Sequence, residues 1–375
     1  MTLFLVLIIL IYLLLIGILT IGFDKVKTFT LTDENYNAKF SIIIPFRDEE
    51  ENLPELLKSI SALQYPKNLF EIIFVDDHSI DQSKTIIQQF KNKNKAVEIM
   101  VIQNNRISNS PKKDAITTAI DLAKYQWIVT TDADCILPKY WLETFAAFAH
   151  YSKAEFIAAP VSYHKVDSFF KRFQLLDFLS LQGATIGGFG IQKPFLCNGA
   201  NLAYTKELFL ALNGFEGNTN IASGDDVFML EKVSKQFANK AAYLKHKNAI
   251  ITTNAQKNSR QLISQRVRWA AKASSYNSFF AKLVGLVVLL ANASIVTALF
   301  LSITGVLKVN TWLCLFLIKC SIDFLLLFKT ARFFNQESYL SSFLFSSLLY
   351  PFFSLYVAMR SVFGTYKWKG RSFTK

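Results

Sequence analysis

Thr130-Thr131-Asp132-Ala133-Asp134-Cys135 follows the apolar run Trp127-Ile128-Val129, which reads as the end of a buried strand. Two carboxylates one residue apart, just past a strand, can face one polar crevice at its carboxyl end. In open α/β sheets that edge is where ligands bind. Such a pair of hard oxygens suits Mg²⁺ or Mn²⁺, ions that keep several waters and accept phosphate oxygens as further ligands. A solvated acidic turn is the competing reading of this stretch, and the flanking chain has to decide between them.

Upstream, strand and helix patterns alternate. Phe40–Pro45 is a short buried strand, and Glu49–Ala62 a helix with Leu53, Leu56, Leu57 and Ile60 on one side. Glu71–Val75 is a second strand, Gln82–Phe90 a second helix and Val97–Ile102 a third strand. Lys112–Ala123 is a third helix and leads into the strand before Asp132. Continuous apolar strands alternating with helices predict a parallel sheet covered on both faces, hence an α/β fold. No GxGxxG or GxxxxGK[ST] follows any strand, so a nucleotide would be held by a different set of loops.

Polar residues gather where these strands end: Arg47-Asp48-Glu49-Glu50-Glu51, then Asp76-Asp77-His78-Ser79, then Asp132 and Asp134. Dipole matching at a helix start accounts for part of the first run, and capping for Asp77 and Ser79. Neither explains why carboxylates recur at strand ends that share one rim. Carboxylates there can accept the N–H of a uracil-like base and ribose hydroxyls, and can hold a metal on a diphosphate.

The series Ile44-Pro45-Phe46-Arg47-Asp48-Glu49, Val75-Asp76-Asp77-His78-Ser79, Lys112-Lys113-Asp114-Ala115-Ile116 and Thr131-Asp132-Ala133-Asp134 resembles the nucleotide-sugar half of the family 2 inverting glycosyltransferases. That family has the Rossmann-like GT-A fold. The resemblance implies that Pro45, Arg47, Glu49, Asp76 and Asp77 surround the nucleotide and that Lys112 approaches it. It also implies that Asp132 meets the sugar and that Asp132 and Asp134 hold the metal, Mg²⁺ or Mn²⁺, on the diphosphate. Pro111 stands where the family has Gly before the lysine, which leaves Lys113 as an alternative to Lys112.

Further on, Cys197-Asn198-Gly199-Ala200-Asn201-Leu202-Ala203 is similar to the family's GANLA segment beneath the acceptor, which assigns Asn201 to the acceptor side. In Ser223-Gly224-Asp225-Asp226 the family's general base is the second acid, hence Asp226 with Asp225 beside it. Gln265-Arg266-Val267-Arg268-Trp269 matches the QxxRW motif of the membrane-bound branch, and a helix would put Gln265, Arg268 and Trp269 on one face. There the motif implies Trp stacking at the acceptor sugar, with Gln and Arg approaching the donor. From the residues alone, a membrane-interface helix accounts for this stretch equally well. Inverting transfer is an in-line displacement, so a base must take the acceptor hydroxyl's proton while a metal opposite stabilises the leaving diphosphate. Asp226 and the Asp132/Asp134 pair are suitably separated in sequence for those two places.

The chain is strongly apolar, with a hydrophobic content of 51%. Met1–Phe23 and Leu283–Leu307 contain no charged side chain, and each can cross a hydrocarbon core of roughly 30 Å as a helix. The first lacks a preceding basic residue and a small-x-small cleavage site, so an uncleaved anchor is expected. Thr311–Phe328 carries Lys319 and Asp323 at a spacing that pairs them on one helix face, and Tyr339–Met359 contains Pro351. Two or three spans are therefore expected after the soluble part. The expected organisation is an anchor over 1–23, a GT-A domain over 24–275 (donor half 40–135, acceptor half 136–275) and a membrane region over 283–375. The resemblance itself covers about 40–275.

The net charge is +13, and residues 283–375 carry nine Lys/Arg against Asp323 and Glu337. No basic stripe interleaved with aromatics appears, so nucleic acid is not expected as a partner, whereas membrane lipids with anionic headgroups are. Lys25, Lys27 and Lys282 flank the spans and put the domain in the cytoplasm, on the inner face of a multi-pass cell-membrane protein. The basic tail Lys367-Trp368-Lys369-Gly370-Arg371 belongs inside too. That requires an even number of later crossings, met if the Pro351 segment is re-entrant or if another segment does not span. The four Cys show neither zinc spacing nor a disulfide framework, as suits a reducing compartment. The glycines Gly183, Gly187, Gly188 and Gly190 read as a mobile loop that could gate the acceptor.

The expected activity is transfer from a nucleotide-diphospho-sugar, a UDP sugar first, to a lipid or glycan acceptor at the membrane. A processive polysaccharide synthase is the alternative within the family, and a non-catalytic nucleotide-binding scaffold the alternative outside it. The long soluble middle argues against a transporter.

Overall fold

The computed structural model describes residues 2–31, 36–273, 275–363, 366–368 and 371–373. In chain order the elements begin with α1 (Thr2–Lys25), β1 (Phe40–Phe46), α2 (Leu53–Ser61), β2 (Phe70–Asp76), α3 (Ser83–Lys93), β3 (Glu98–Gln103) and α4 (Pro111–Leu122). Then come β4 (Trp127–Thr130), α5 (Trp141–Ser152), β5 (Phe156–Ala158), β6 (Val161–His164), α6 (Phe169–Gly190), β7 (Leu202–Thr205), α7 (Lys206–Ala211) and α8 (Asp225–Gln236). The last are β8 (Ala241–Tyr243), β9 (Ile251–Asn254), α9 (Ser259–Ala273), α10 (Phe279–Ile303), α11 (Val309–Phe334), α12 (Phe343–Phe363), β10 (Tyr366–Trp368) and β11 (Arg371–Phe373).

The chain forms two compact units. One comprises residues 27–164 and 197–254, the other 1–26, 165–196 and 255–375. The first holds a seven-stranded sheet of order β3-β2-β1-β4-β7-β5-β8. Its first four strands pair in parallel, as the alternating pattern predicts. The second half departs from the expected all-parallel sheet, because β7 lies antiparallel to both β4 and β5. The strands are apolar because both faces are covered: Ile42, Ile43, Ile44, Ile72, Ile73 and Phe74 are all fully buried. The helix expected from Glu49 begins at Leu53 instead, because the acidic residues before it are engaged with the next loop.

The second unit contains four helices long and apolar enough to cross a membrane, among the described residues: Thr2–Lys25, Phe279–Ile303, Val309–Phe334 and the stretch Glu337–Val362. Pro351 lies inside α12 rather than at a break in it. Lys319 and Asp323 pair as their spacing predicts, at 2.7 Å, and the Tyr12 hydroxyl donates to the other Asp323 oxygen at 2.5 Å. A charge pair inside an apolar helix is thus neutralised on the spot and ties α11 to α1. Of the basic tail, Lys369 and Gly370 lie outside the described residues.

The stretch Gly183–Gly190 is not a loop. It is the last part of α6, where Gly187 and Gly190 lie against the backbone of α1 and Gly183 against Leu326 and Thr330 of α11. A Cβ on Gly190 would meet the Gly22 carbonyl oxygen at 1.8 Å, and one on Gly187 the Leu19 oxygen at 2.3 Å. The glycines permit two helices to approach closely, which is how small residues serve helix packing in lipid. A run of glycines reads as mobile in sequence only because the partner helix is remote in the chain.

Candidate active site

The carboxyl ends of β1, β2, β3 and β4 deliver the predicted residues to one edge of the sheet. Register does this directly: Phe46 pairs with Asp76, and Asp76 with Gln103. The loops after β1 and β2 are laced together. The Asp48 amide donates to Ser79 Oγ (3.1 Å) and the Ile80 amide to Asp48 Oδ1 (2.9 Å). Likewise the Glu50 amide donates to Asp81 Oδ2 (3.0 Å) and the Gln82 amide to Glu50 Oε2 (2.9 Å). The acidic run thus spends Asp48 and Glu50 on loop structure. Asp48 (φ 51°) and His78 (φ 61°) both take the left-handed backbone these turns require.

Asp76 and Asp77 part company. Asp76 is fully buried; its carboxylate accepts the Ser79 amide at 2.8 Å and meets Lys84 Nζ at 3.0 Å. It holds the loop in place of the expected nucleotide contact, since it leaves no surface to a ligand. Asp77 sits among cations and an amide: Asn104 Nδ2 donates at 2.8 Å, Arg106 Nη1 lies at 3.5 Å and Arg47 Nη1 at 3.8 Å. Arg47 also donates to the Asp77 carbonyl oxygen at 2.9 Å. Pro45 lies opposite Val75 in the sheet, and the Glu49 carboxylate accepts from Asn52 Nδ2 at 2.6 Å. Asn104 and Arg106 were missed in sequence, although they follow the end of β3 just as the recognised acids follow β1, β2 and β4.

The centre of the site is Lys112. Its ammonium stands 2.6 Å from Asp132 Oδ1 and 3.2 Å from Asp225 Oδ2, joining the acids after β4 to those that open α8. Burial alone would lower its pKa, but Asp132 and Asp225, with Asp226 beyond, outweigh that and raise it, so it stays charged. Lys113 is no substitute. It is buried, donates to the carbonyl oxygens of Asn218 (2.7 Å) and Ile221 (3.0 Å), and lies over the Phe228 ring. Consecutive residues of a helix point some 100° apart, so only one of the two lysines can face the acids.

Gly199 closes this cluster. Its amide donates to Asp226 Oδ2 at 3.2 Å, its carbonyl accepts from Thr130 Oγ1 at 3.0 Å, and a Cβ there would fall 2.6 Å from Asp225 Oδ2. Asp226 Oδ1 also accepts its neighbour's amide, Val227 N–H, at 2.8 Å. Asn201, assigned in sequence to the acceptor, has no exposed surface. Its Nδ2 donates to the Pro160 and Ala249 carbonyls, both at 2.7 Å, and its Oδ1 accepts from Trp141 Nε1 at 3.0 Å. It braces the segment that carries Gly199, which is a positioning task and not a contact. On α9, in the other unit, Gln265, Arg268 and Trp269 are all half-buried.

The chemistry of the donor set fits a hard divalent cation. Asp132 and Asp134 offer carboxylate oxygens, and the acid cluster around them already draws one cation, the Lys112 ammonium. Cys135 Sγ donates to Asp134 Oδ1 at 3.8 Å, and burial, then Asp134 and Asp132, push that thiol well above its usual range. Among the described residues no group of three or more His, Cys, Asp or Glu is placed to hold a metal by itself. An ion here would draw its other ligands from phosphate and water, as Mg²⁺ and Mn²⁺ do.

Residues 127–361 match the model of "Glycosyl transferase family group 2", which is more than half of the chain, and residues 41–209 match "Glycosyl transferase family 2". The chain is a family 2 glycosyltransferase. Over 110 residues (29% of this chain, 18% of the relative) it is 34% identical to the poly(ribitol-phosphate) beta-N-acetylglucosaminyltransferase TarS of Staphylococcus aureus. Over 116 residues (30% of this chain, 34% of the relative) it is 34% identical to the undecaprenyl-phosphate 4-deoxy-4-formamido-L-arabinose transferase of Pseudomonas savastanoi. The matches thus cover about a third or less of these relatives. Among solved structures, the mannosyltransferase PcManGT of Pyrobaculum calidifontis, in complex with GDP-Man and Mn²⁺, superposes with a TM-score of 0.57 over 91% of this chain and 94% of that one. At 16% identity the likeness is one of fold, and the fold of this family 2 member is GT-A.

Proposed function

We propose that this family 2 glycosyltransferase moves a sugar from a nucleotide-diphospho-sugar to a lipid or glycan acceptor at a membrane surface, with inversion. The observation that carries the reading is the Gly199 junction. It holds Asp226 on one side and the Lys112–Asp132–Asp225 ion cluster on the other, within one unit. Asp226 is the general base. The Gly199 and Val227 amides orient its carboxylate, which takes the acceptor hydroxyl's proton as the oxygen attacks the anomeric carbon. Asp225 keeps Lys112 in place, and Lys112 brings positive charge to the diphosphate side. Asp77, fixed by Asn104, Arg47 and Arg106, faces the base and ribose of the donor. Asp132 and Asp134 would hold Mg²⁺ or Mn²⁺, which when bound neutralises charge on the departing diphosphate.

A UDP sugar is the favoured donor and single addition the favoured outcome. The same reading gives Gln265, Arg268 and Trp269 a role at the sugar, on the motif alone. Positive residues at the membrane flanks, Lys25, Lys27 and Lys282, put the catalytic unit on the cytoplasmic face of the cell membrane. The relatives' names, a lipid-phosphate acceptor for one and a polymer acceptor for the other, favour an acceptor presented at that face.

Calorimetric titration of the detergent-solubilised chain with UDP, GDP and CDP, with and without Mn²⁺, tests the donor half. Metal-dependent binding of one nucleotide is expected. Folded protein that binds none of the three would overturn the reading in favour of a non-catalytic scaffold.

A further inference from the structure

Arg266 occupies one of the two variable positions inside the Gln265–Trp269 motif, yet its charged side chain is buried and ion-paired. Its Nε donates to Asp177 Oδ2 of α6 at 2.6 Å, with both side chains only 6% exposed. The same guanidinium donates from Nη1 to Gln265 Oε1 and stands 4.3 Å from the centre of the Trp269 ring. Phe178, next to Asp177, packs its ring 6.1 Å from that of Trp269. A carboxylate on one helix therefore fixes a guanidinium that in turn touches two of the three residues the motif offers.

A buried ion pair is costly to desolvate and gives little net stability, so its retention is better explained by the geometry it enforces. We infer that Asp177 is a positioning residue for transfer: through Arg266 it sets the side chains of Gln265 and Trp269. The inference rests on the transferase reading above. An arginine planar fork serves this purpose where a lysine would not, because it bonds the carboxylate and the amide in different directions while stacking on the indole.

The test uses the full chain in detergent. Asp177→Asn, Asp177→Glu, Arg266→Met and the double variant D177N/R266M are compared for kcat, KM and Mn²⁺-dependent nucleotide binding. The Trp269 emission is isolated by subtracting the matching W269F spectrum. For D177N a loss of kcat of about 100-fold is expected, the scale of a small misplacement of a substrate-positioning group. Nucleotide affinity should be unchanged, the Trp269 emission shifted, and activity partly regained in D177E. The double variant should be no worse than either single one, since both break the same chain of contacts. Wild-type kcat with unchanged Trp269 emission in D177N would overturn the inference. So would losses that add in the double variant, or a fall in nucleotide binding that tracks the fall in kcat. Should the wild-type chain transfer no sugar, the function reading falls and the Trp269 emission alone decides: a shift in D177N upholds the positioning, and none overturns it.

Discussion

Replacing Lys112 with methionine keeps the side-chain volume near its original value and removes one charge, which isolates what the ammonium does. Charges 2.6 and 3.2 Å apart attract by about 6 and about 5 kcal/mol at an effective dielectric near 20, before any desolvation is counted. The net loss is much smaller. Asp132 is 39% exposed and rehydrates once freed, so its arm has the worth of a surface pair, about 0–1 kcal/mol. Asp225, 11% exposed, retains more of the roughly 3–5 kcal/mol cost of orphaning a buried charge. A destabilisation of about 2 kcal/mol follows, or a Tm lower by about 4–8 °C for a cooperative unit of this size. The sign in pH is set by the raised Lys112 pKa. Its contribution is complete below the unfolded value of about 10.4 and is lost only as pH rises through the still higher folded value, so the difference should stay flat between about pH 6 and 9. Thermal unfolding of the solubilised chain reads all of this. Mn²⁺ should raise the Tm of K112M by more than that of the wild type, because an added cation replaces the missing one. A variant as stable as the wild type, at every Mn²⁺ concentration, would refute the view that Lys112 holds this acid cluster together.

Other outcomes follow from the same geometry. Asp226→Asn should abolish transfer while leaving Mn²⁺-dependent nucleotide binding nearly intact; loss of both would make its role structural. Asp134→Ala should weaken nucleotide binding with Mn²⁺ but little in EDTA, and equal losses in both would count against metal ligation. Gly190→Ala places a Cβ 1.8 Å from the Gly22 carbonyl, so helix separation costing about 1–3 kcal/mol should lower the unfolding temperature. Unchanged stability would disprove the close α1–α6 contact. Asn201→Ala strands the Trp141 indole N–H and two buried carbonyls; at about 1 kcal/mol or more for each unmade bond, a loss near 3 kcal/mol is expected in thermal unfolding.

The parallel half of the sheet and the acids at its rim were readable along the chain, because strand and helix periods and the Asp132-x-Asp134 spacing are local properties. So was the Lys319–Asp323 pair, since an i,i+4 relation on a helix needs no tertiary information. What a side chain does once folded depends on which distant segment meets it, and no spacing encodes that. Asp76 and Asp77 are adjacent letters of one chemistry, yet one is buried beneath the exposed Lys84 and the other is turned toward Arg47 and Arg106. Lys112 and Lys113 differ only by a helical rotation, which sends one to the acids and the other over the ring of Phe228. Asn201 is assigned to the acceptor side by the resemblance of its segment to GANLA; three buried partners, drawn from positions 141, 160 and 249, make it a brace. Gly183–Gly190 read as a loose loop until remote segments met it: α1 supplies the carbonyls that leave no room for a side chain at Gly187 and Gly190, and α11 supplies Leu326 and Thr330 at Gly183. Sequence periodicity marks the stretches that favour strands and helices, whereas burial, partner choice and the helical state of a segment such as Gly183–Gly190 are set by contacts between remote segments.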